Sequence, residues 1–223
     1  MFNFFQSNSA YSRIKLKFSS RLLAGALLLS LIQAVHATTI LGMDIDQIAQ
    51  DAEFIFQGEV VALESRQDNG DIISTYVTFT IHEVIKGDDS RDSIELKFMG
   101  DSIDGRMTQV SGLTLPKQGE QGIYFVESTS SDLVNPLLGW SQGHFLVNAD
   151  EEGTLRVSTV ENQPITQVQS VSSIPLSIKK PQAIIEGNTE VAAGIMTQSS
   201  ALTIDRALTV DEFKGRIREL IAN

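Results

Sequence analysis

The stretch that decides the fold is ISTYVTFTIHEVIK, residues 73–86. Apolar and polar residues alternate through Val77–Ile81, which is the period of a strand with one buried face. The alternation then slips by one residue, because Val84 is the next apolar position. A one-residue slip exchanges the two faces of a strand, and a β-bulge near His82–Glu83 would absorb it. Long, bent strands of this kind are typical of small closed barrels.

Strand patterns continue on both sides of this stretch. Phe54–Glu64 alternates in the same way, and the turn Asp68–Asp71 contains an Asn-Gly pair that accepts the positive φ of a tight hairpin. Shorter strands are predicted at Ile94–Phe98, Arg106–Val110, Ile123–Glu127, within Trp140–Val147, and at Thr154–Val160. Six or seven strands joined mostly by hairpins predict a mainly β fold, a small antiparallel barrel of the OB or netrin-like type.

Two helices and an irregular segment complete the predicted organisation. A short N-terminal helix is predicted at Met43–Ala52, capped by Asp44 or Asp46. Thr209 and Glu212 form a capping box, which predicts a C-terminal amphipathic helix from about Val210 to Ala222. The chain is predicted to consist of a signal peptide at 1–37, a β-barrel domain at 38–160, a Ser/Gln/Thr-rich linker or loosely packed segment at 161–208, and the C-terminal helix at 209–223. Within the third part, Ile174–Ile185 could pack on the barrel.

The first 37 residues indicate export. Four basic side chains and no acids precede the apolar run Leu22–Ile32, and Val35-His-Ala37 has the small residues of a cleavage site. The run is too short for the roughly 20 residues of a membrane-spanning helix. An uncleaved membrane anchor is the alternative. We expect cleavage after Ala37 and a periplasmic or secreted protein of a Gram-negative bacterium, with no membrane contact after cleavage.

Charge and composition exclude several classes of protein. The formal net charge is −11, and loss of residues 1–37 would take it to −15, which disfavours nucleic-acid binding. The chain has no cysteine, so thiol catalysis, disulfides and cysteine-bound zinc are excluded.

Few residues have the type and spacing of a catalytic or metal-binding site. Gly139–Gly143 has the form G-x-S-x-G around Ser141, but neither a preceding strand nor a following helix is predicted, as a nucleophile elbow requires. Asp101 and Asp104 could offer oxygens to calcium, although a solvated turn is the favoured interpretation. We therefore expect no catalytic residues, no metal and no cofactor. The residues that we assign to ligand binding are Trp140, Gln142, His144, Asp101 and Asp104, with core packing the favoured alternative for Trp140.

Four motifs carry a resemblance: AEFIFQGEVVALESR at 52–66, YVTFTIHEVIKG at 76–87, Gly119-Glu120, and GWSQGHF at 139–145. In this order they resemble a family of uncharacterised exported bacterial proteins, over about residues 44–150 and the C-terminal helix. More distantly they are similar to netrin-like modules and to tissue inhibitors of metalloproteases. The resemblance implies an OB-type barrel. The inhibitors clasp zinc with an N-terminal cysteine, and because Thr38 would stand at the processed N-terminus here, their mechanism does not carry over.

The function expected from the sequence is an exported, acidic, non-enzymatic binding module. Its ligand, a protein or a small molecule, would contact the loops at Gly100–Val110 and Asn135–His144, since rigid β folds present function on loops. Two alternatives stay open. One is an inhibitor or regulator of an exported protease, which the netrin-like resemblance implies. The other is a serine hydrolase that uses Ser141 with His144 or His82.

Overall fold

The computed structural model describes residues 42–68, 70–88, 90–171, 191–198 and 206–222. The predicted signal peptide at 1–37 and the segment Ile174–Ile185 lie outside the described residues. Within the described part of the chain, no helix has both the length and the apolar character needed to cross a membrane.

A six-stranded antiparallel sheet with the strand order β3-β2-β1-β6-β7-β8 is the centre of the fold. Two small sheets, β4–β5 and β9–β10, accompany it. The mainly β, antiparallel prediction is confirmed. The closed barrel is not confirmed, because β3 and β8 are opposite edges of the sheet in the described residues. The strands are β1 (Phe54–Gln67), β2 (Ile73–Lys86), β3 (Ser93–Met99), β4 (Asp101–Ile103), β5 (Arg106–Thr108), β6 (Gln121–Val126), β7 (His144–Ala149), β8 (Leu155–Thr159), β9 (Ile165–Val168) and β10 (Ile195–Thr197).

The predicted bulge in β2 is confirmed. In the β1–β2 ladder Gln57 faces Glu83, whereas the next residue, Gly58, faces Ile81. His82 is therefore the extra residue that lets the alternation change face. A further register shift lies on each side of it in the same ladder. These irregularities bend the β1–β2 hairpin where the sequence pattern slips.

The sheet carries an apolar cluster on each face, because alternate residues of β1 and β6 point in opposite directions. One cluster packs under the helices and includes Ile55, Ile123, Phe125, Phe145, Val157, Phe213 and Ile217. The other lies on the opposite face and includes Phe54, Phe56, Val60, Phe79, Phe98, Tyr124 and Val126. Burial on both faces explains why β6 is apolar at every position from Ile123 to Val126.

Two helices cover the first of these faces. Helix α1 (Ile45–Asp51) buries Ile45, Ile48 and Ala49, as the sequence pattern predicts. Its predicted side-chain cap is wrong, because Asp44 makes no capping hydrogen bond and Asp46 instead accepts one from the main chain of Val171 at 2.6 Å.

Helix α2 (Val210–Ala222) has the predicted bounds. The predicted capping box is also confirmed. The Thr209 N–H donates to Glu212 at 2.8 Å, and the Glu212 N–H donates to the Thr209 hydroxyl at 3.2 Å.

A buried lysine joins α2 to the bent hairpin. The Lys214 side chain is 7% exposed. Its Nζ donates to Gln57 Oε1 at 3.1 Å and to Glu83 Oε2 at 2.5 Å, and Arg218 also bonds to Glu83. The ammonium group is therefore paired and hydrogen-bonded, as burial of a charge requires.

The described part of segment 161–208 contains regular structure. Strands β9 and β10 pair there, and Ile165, Val168 and Ala192 are buried in the cluster beneath the helices. The strands are only four and three residues long, too short for a period to be visible in the sequence.

Candidate functional site

A polar pocket opens where β6 and β7 part. The two strands pair at only three positions, of which Gly122 with Leu146 lies at the open end. Before Gly122 the chain stays beside β1, since the Gly119 N–H donates to the Val60 carbonyl at 2.8 Å. Strand β7 continues to Ala149 beside β8. The gap holds a cavity of about 550 Å³, here named the β6–β7 pocket, whose polar lining includes Thr114, Lys117, Glu120, His144, Asn148 and Asn162.

A buried histidine and a carboxylate form one wall of this pocket. His144 is 2% exposed, and its Nε2 lies 2.8 Å from Glu120 Oε1. The imidazole therefore donates Nε2–H to the carboxylate. The Tyr124 hydroxyl donates to the same oxygen through a longer contact of 3.5 Å. Burial raises the pKa of Tyr124 and the Glu120 charge raises it further, so the phenol keeps its proton.

A glycine allows this arrangement. A Cβ atom on Gly122 would lie 2.7 Å from the Phe145 carbonyl oxygen and 2.8 Å from Cζ of Tyr124. The Tyr124 ring therefore lies over the space that a side chain at 122 would occupy. Its ring centre is 5.0 Å from that of His144. Gly122 thus brings the phenol toward Glu120 and helps to fix the position of the imidazole.

The pocket lining supplies both hydrogen-bond donors and hydrogen-bond acceptors. Asn148 and Asn162 line it with side-chain amides, which donate and accept, and Lys117 adds an ammonium group; the Asn148 amide also donates to the Ser158 hydroxyl at 3.4 Å. His144 is shielded from solvent and already bonded, so it stiffens the wall. No group of three or more acidic or histidine side chains within the described residues is placed to hold a metal ion.

Among the residues predicted to bind a ligand, the structure places His144 in the pocket lining. Gln142 is fully buried and accepts a hydrogen bond from the Met43 N–H at 2.8 Å. It therefore anchors the segment that leads into α1. Trp140 is half-buried in a one-turn 3-10 helix, Trp140–Gly143, with a φ of 59°.

The two predicted aspartates lie on the small β4–β5 hairpin. Asp101 accepts hydrogen bonds from the hydroxyls of Ser65 and Thr75, the latter at 3.1 Å, so it joins the hairpin to β1 and β2. Asp104 is in the hairpin turn with a φ of 50°, a conformation that Asp tolerates better than most residues. Asp101 lines a different cavity of about 260 Å³.

Ser141 is not in a nucleophile elbow. It lies in the 3-10 turn that follows Gly139 and leads into β7, whereas an elbow connects a strand to a helix. Among the described hydrogen bonds, none joins its hydroxyl to an imidazole. His82 is the exposed bulge residue of β2.

Sequence reasoning missed Glu120 and Tyr124. A signal was present, since Gly119-Glu120 is one of the motifs that carry the resemblance. The short apolar run around Tyr124 indicated only a central strand. Its contact with His144 depends on the β6–β7 register, which pairs residues 20 positions apart.

Comparisons with protein-family models, curated proteins and solved structures find no match for this chain. The resemblance to netrin-like modules therefore stays a prediction. The functional argument rests on the geometry of the β6–β7 pocket.

Proposed function

We propose that the protein is a non-enzymatic binding module whose ligand occupies the β6–β7 pocket. One observation carries the proposal. The gap between two strands of the main sheet is walled by a buried His144 whose Nε2 lies 2.8 Å from the partly exposed Glu120 carboxylate. A fixed polar wall in a preformed cavity reduces the ordering cost of binding.

The environment of His144 favours binding over catalysis. A general base must reach the proton that it abstracts, and this imidazole is 2% exposed with Nε2 directed to Glu120. The neighbouring Asn148 and Asn162 amides suit recognition of a hydrogen-bonding ligand. These features support a site that holds its ligand unchanged.

Export is part of the proposal. The basic residues and the short apolar run in 1–37 support a cleaved signal peptide, and hence a periplasmic or secreted protein. The net charge of −11 supports a ligand that is neutral or cationic.

A fragment screen by NMR tests the assignment of the pocket. The purified protein is titrated with small amides, alcohols and amines, and backbone resonances are followed. We expect the responding fragments to shift resonances of the pocket lining. Asn148→Trp should abolish these shifts by filling the pocket, because Asn148 is exposed and lines it. Ser93→Trp, at an exposed position on β3, is the matched control and should retain them.

Two results would overturn the proposal. One is a set of shifts that N148W leaves intact. The other is measured turnover of a substrate that is lost when a single polar residue of the pocket is replaced.

A further inference from the structure

We infer that the ligand of the β6–β7 pocket is a primary alkylammonium ion, which donates hydrogen bonds to Glu120 Oε2 and to amide oxygens of the lining while its alkyl chain lies over Leu146. The inference rests on the proposed function and names the ligand class for the same site. It follows from the hydrogen-bonding atoms of the lining that the protein itself leaves unpaired.

The side-chain amides of the lining use N–H donors on the protein itself. Gln118 Nε2 donates to a main-chain carbonyl of β1 at 3.4 Å, and Gln121 Nε2 donates to Glu59 Oε2 at 3.2 Å. Asn148 Nδ2 donates to the Ser158 hydroxyl at 3.4 Å. Among the described hydrogen bonds, none reaches the side-chain oxygens of these three amides. The lining therefore favours a ligand that donates hydrogen bonds.

One oxygen of the Glu120 carboxylate is free for such a ligand. Its Oε1 lies 2.8 Å from His144 Nε2 and 3.5 Å from the Tyr124 hydroxyl, whereas no described hydrogen bond reaches its Oε2. Every buried side-chain nitrogen or oxygen in the described part of the chain has a hydrogen-bond partner, so this unpaired Oε2 is accessible to solvent. Because Glu120 lines the pocket and its side chain is 16% exposed, Oε2 supplies a charged acceptor there.

A single free oxygen discriminates among cationic groups. A guanidinium group binds a carboxylate best through two parallel hydrogen bonds, and one oxygen of Glu120 is already engaged. A quaternary ammonium group has no N–H and is recognised by aromatic faces, but the described lining contains no Phe, Tyr or Trp. A primary ammonium group carries three N–H donors on one point charge. One carboxylate oxygen and neighbouring amide oxygens can therefore satisfy it.

An apolar side chain follows the carboxylate along β7. Side chains two residues apart on a strand lie on the same face, so Leu146 and Asn148 follow His144 on the face where the imidazole meets Glu120. Leu146 lies about 7 Å from His144 along the strand. Val160 also lines the pocket. An alkyl chain of a few carbons, attached to the ammonium group, can therefore cover Leu146.

Two cationic side chains lie near this binding mode. Arg156 pairs with Asn148 across β7 and β8, but its Nε donates to Asp150 Oδ2 at 2.9 Å and its Nη1 donates to the Ala207 carbonyl at 2.8 Å. Its guanidinium is therefore engaged away from the ligand. Lys117 lines the pocket and is exposed, so solvent screens its repulsion of a bound ammonium group.

The test compares ligands that share a pentyl chain: pentylamine, pentanol, pentylguanidine and pentyltrimethylammonium. Each is titrated into the purified protein in an amine-free buffer, and backbone resonances of the pocket lining are followed by NMR. We expect pentylamine to bind at least about tenfold more tightly than pentanol, because hydrogen bonds to charged groups are stronger than neutral ones. Pentylguanidine and pentyltrimethylammonium should both bind more weakly than pentylamine.

Glu120→Gln tests the charged acceptor. Glutamine has nearly the same shape, and its carbonyl oxygen can still accept a hydrogen bond from His144. Glu127→Gln makes the same charge change at an exposed position just after the far end of β6. We expect E120Q to weaken pentylamine binding by about tenfold and to leave pentanol binding unchanged. E127Q should leave the binding of both ligands unchanged.

Lys117→Gln tests the sign of the ligand charge. Removal of a screened surface charge that repels the ammonium group should strengthen pentylamine binding by about two- to fivefold. Weaker binding to K117Q would show that the lysine attracts the ligand, and it would contradict the inference.

The outcomes separate the two proposals. Equal affinity of pentylamine and pentanol, or of pentylamine and its trimethyl analogue, would overturn the ammonium inference, as would pentylamine binding that E120Q leaves unchanged. If neutral fragments still shift the pocket resonances in that case, the proposed function stands. Fragment and amine binding that N148W leaves unchanged would overturn both.

Discussion

Replacing Gly58 with alanine should destabilise the bent β1–β2 hairpin. An ideal Cβ atom at this position would lie 2.5 Å from the Thr80 carbonyl oxygen and 2.9 Å from Cε2 of Phe56. Both distances are shorter than real Cβ contacts, and the nearer obstacle is main chain in the paired strand. Overpacking of this kind costs about 1–3 kcal/mol, and a main-chain obstacle favours the upper part of that range.

The loss of folding free energy in G58A corresponds to a lower melting temperature. Alanine also lowers the conformational entropy of the unfolded chain, which stabilises the folded variant by about 0.4–1 kcal/mol. The net loss is then about 2 kcal/mol, which for a domain of this size lowers Tm by roughly 4–8 °C. Thermal unfolding followed by circular dichroism measures it directly.

A second glycine provides the control. No atom lies within 4 Å of a Cβ placed on Gly215, which is within α2. Alanine there gains about 1 kcal/mol of helix propensity, and Tm should rise by roughly 2–4 °C. Equal Tm values for G58A and the parent protein would refute the reasoning on close packing at the bulge.

Two further predictions concern charged groups. Lys214→Met should cost about 1–3 kcal/mol in urea unfolding, because buried Gln57 loses its donor while Glu83 keeps Arg218; a neutral result would contradict the role assigned to the lysine. Hydrogen bonds, first from Lys97 and then from a serine hydroxyl, lower the pKa of Asp68 to about 2. Because the folded pKa lies below the unfolded value, Asp68 stabilises the fold above about pH 4, and this contribution is lost as the pH falls toward 2. Asp68→Asn should therefore destabilise the protein at pH 7 and approach the parent's stability near pH 2, and a difference that stays constant over this range would count against the assignment.

Local pattern predicts much of the fold. The bounds of β2 and α2 and the bulge at His82 follow from periodicity and from a capping box, which are properties of neighbouring residues. Prediction failed where partners are distant in the chain. Asp46 bonds to Val171, 125 positions away, and no local signal distinguishes that contact from an N-terminal cap.

The candidate site was less predictable than the fold. His144 stood out because histidine is rare in this chain, but its partner Glu120 is one of 28 acidic residues. Their contact depends on the point at which β6 leaves β7 and turns to β1. That point is set by strand register and by the glycine at 122. Neither of these produces a periodic pattern in the sequence.

The position of α2 at the end of the described chain has a consequence for the order of folding. Helix α2 follows every described strand in the chain, yet Phe213 and Ile217 complete the apolar cluster on one face of the sheet. While the ribosome is still making the preceding residues, α1 can cover its part of that face, but the apolar residues that pack against α2 stay exposed. That face of the nascent polypeptide should therefore stay incompletely packed until synthesis passes α2, and its exposed apolar surface can bind chaperones.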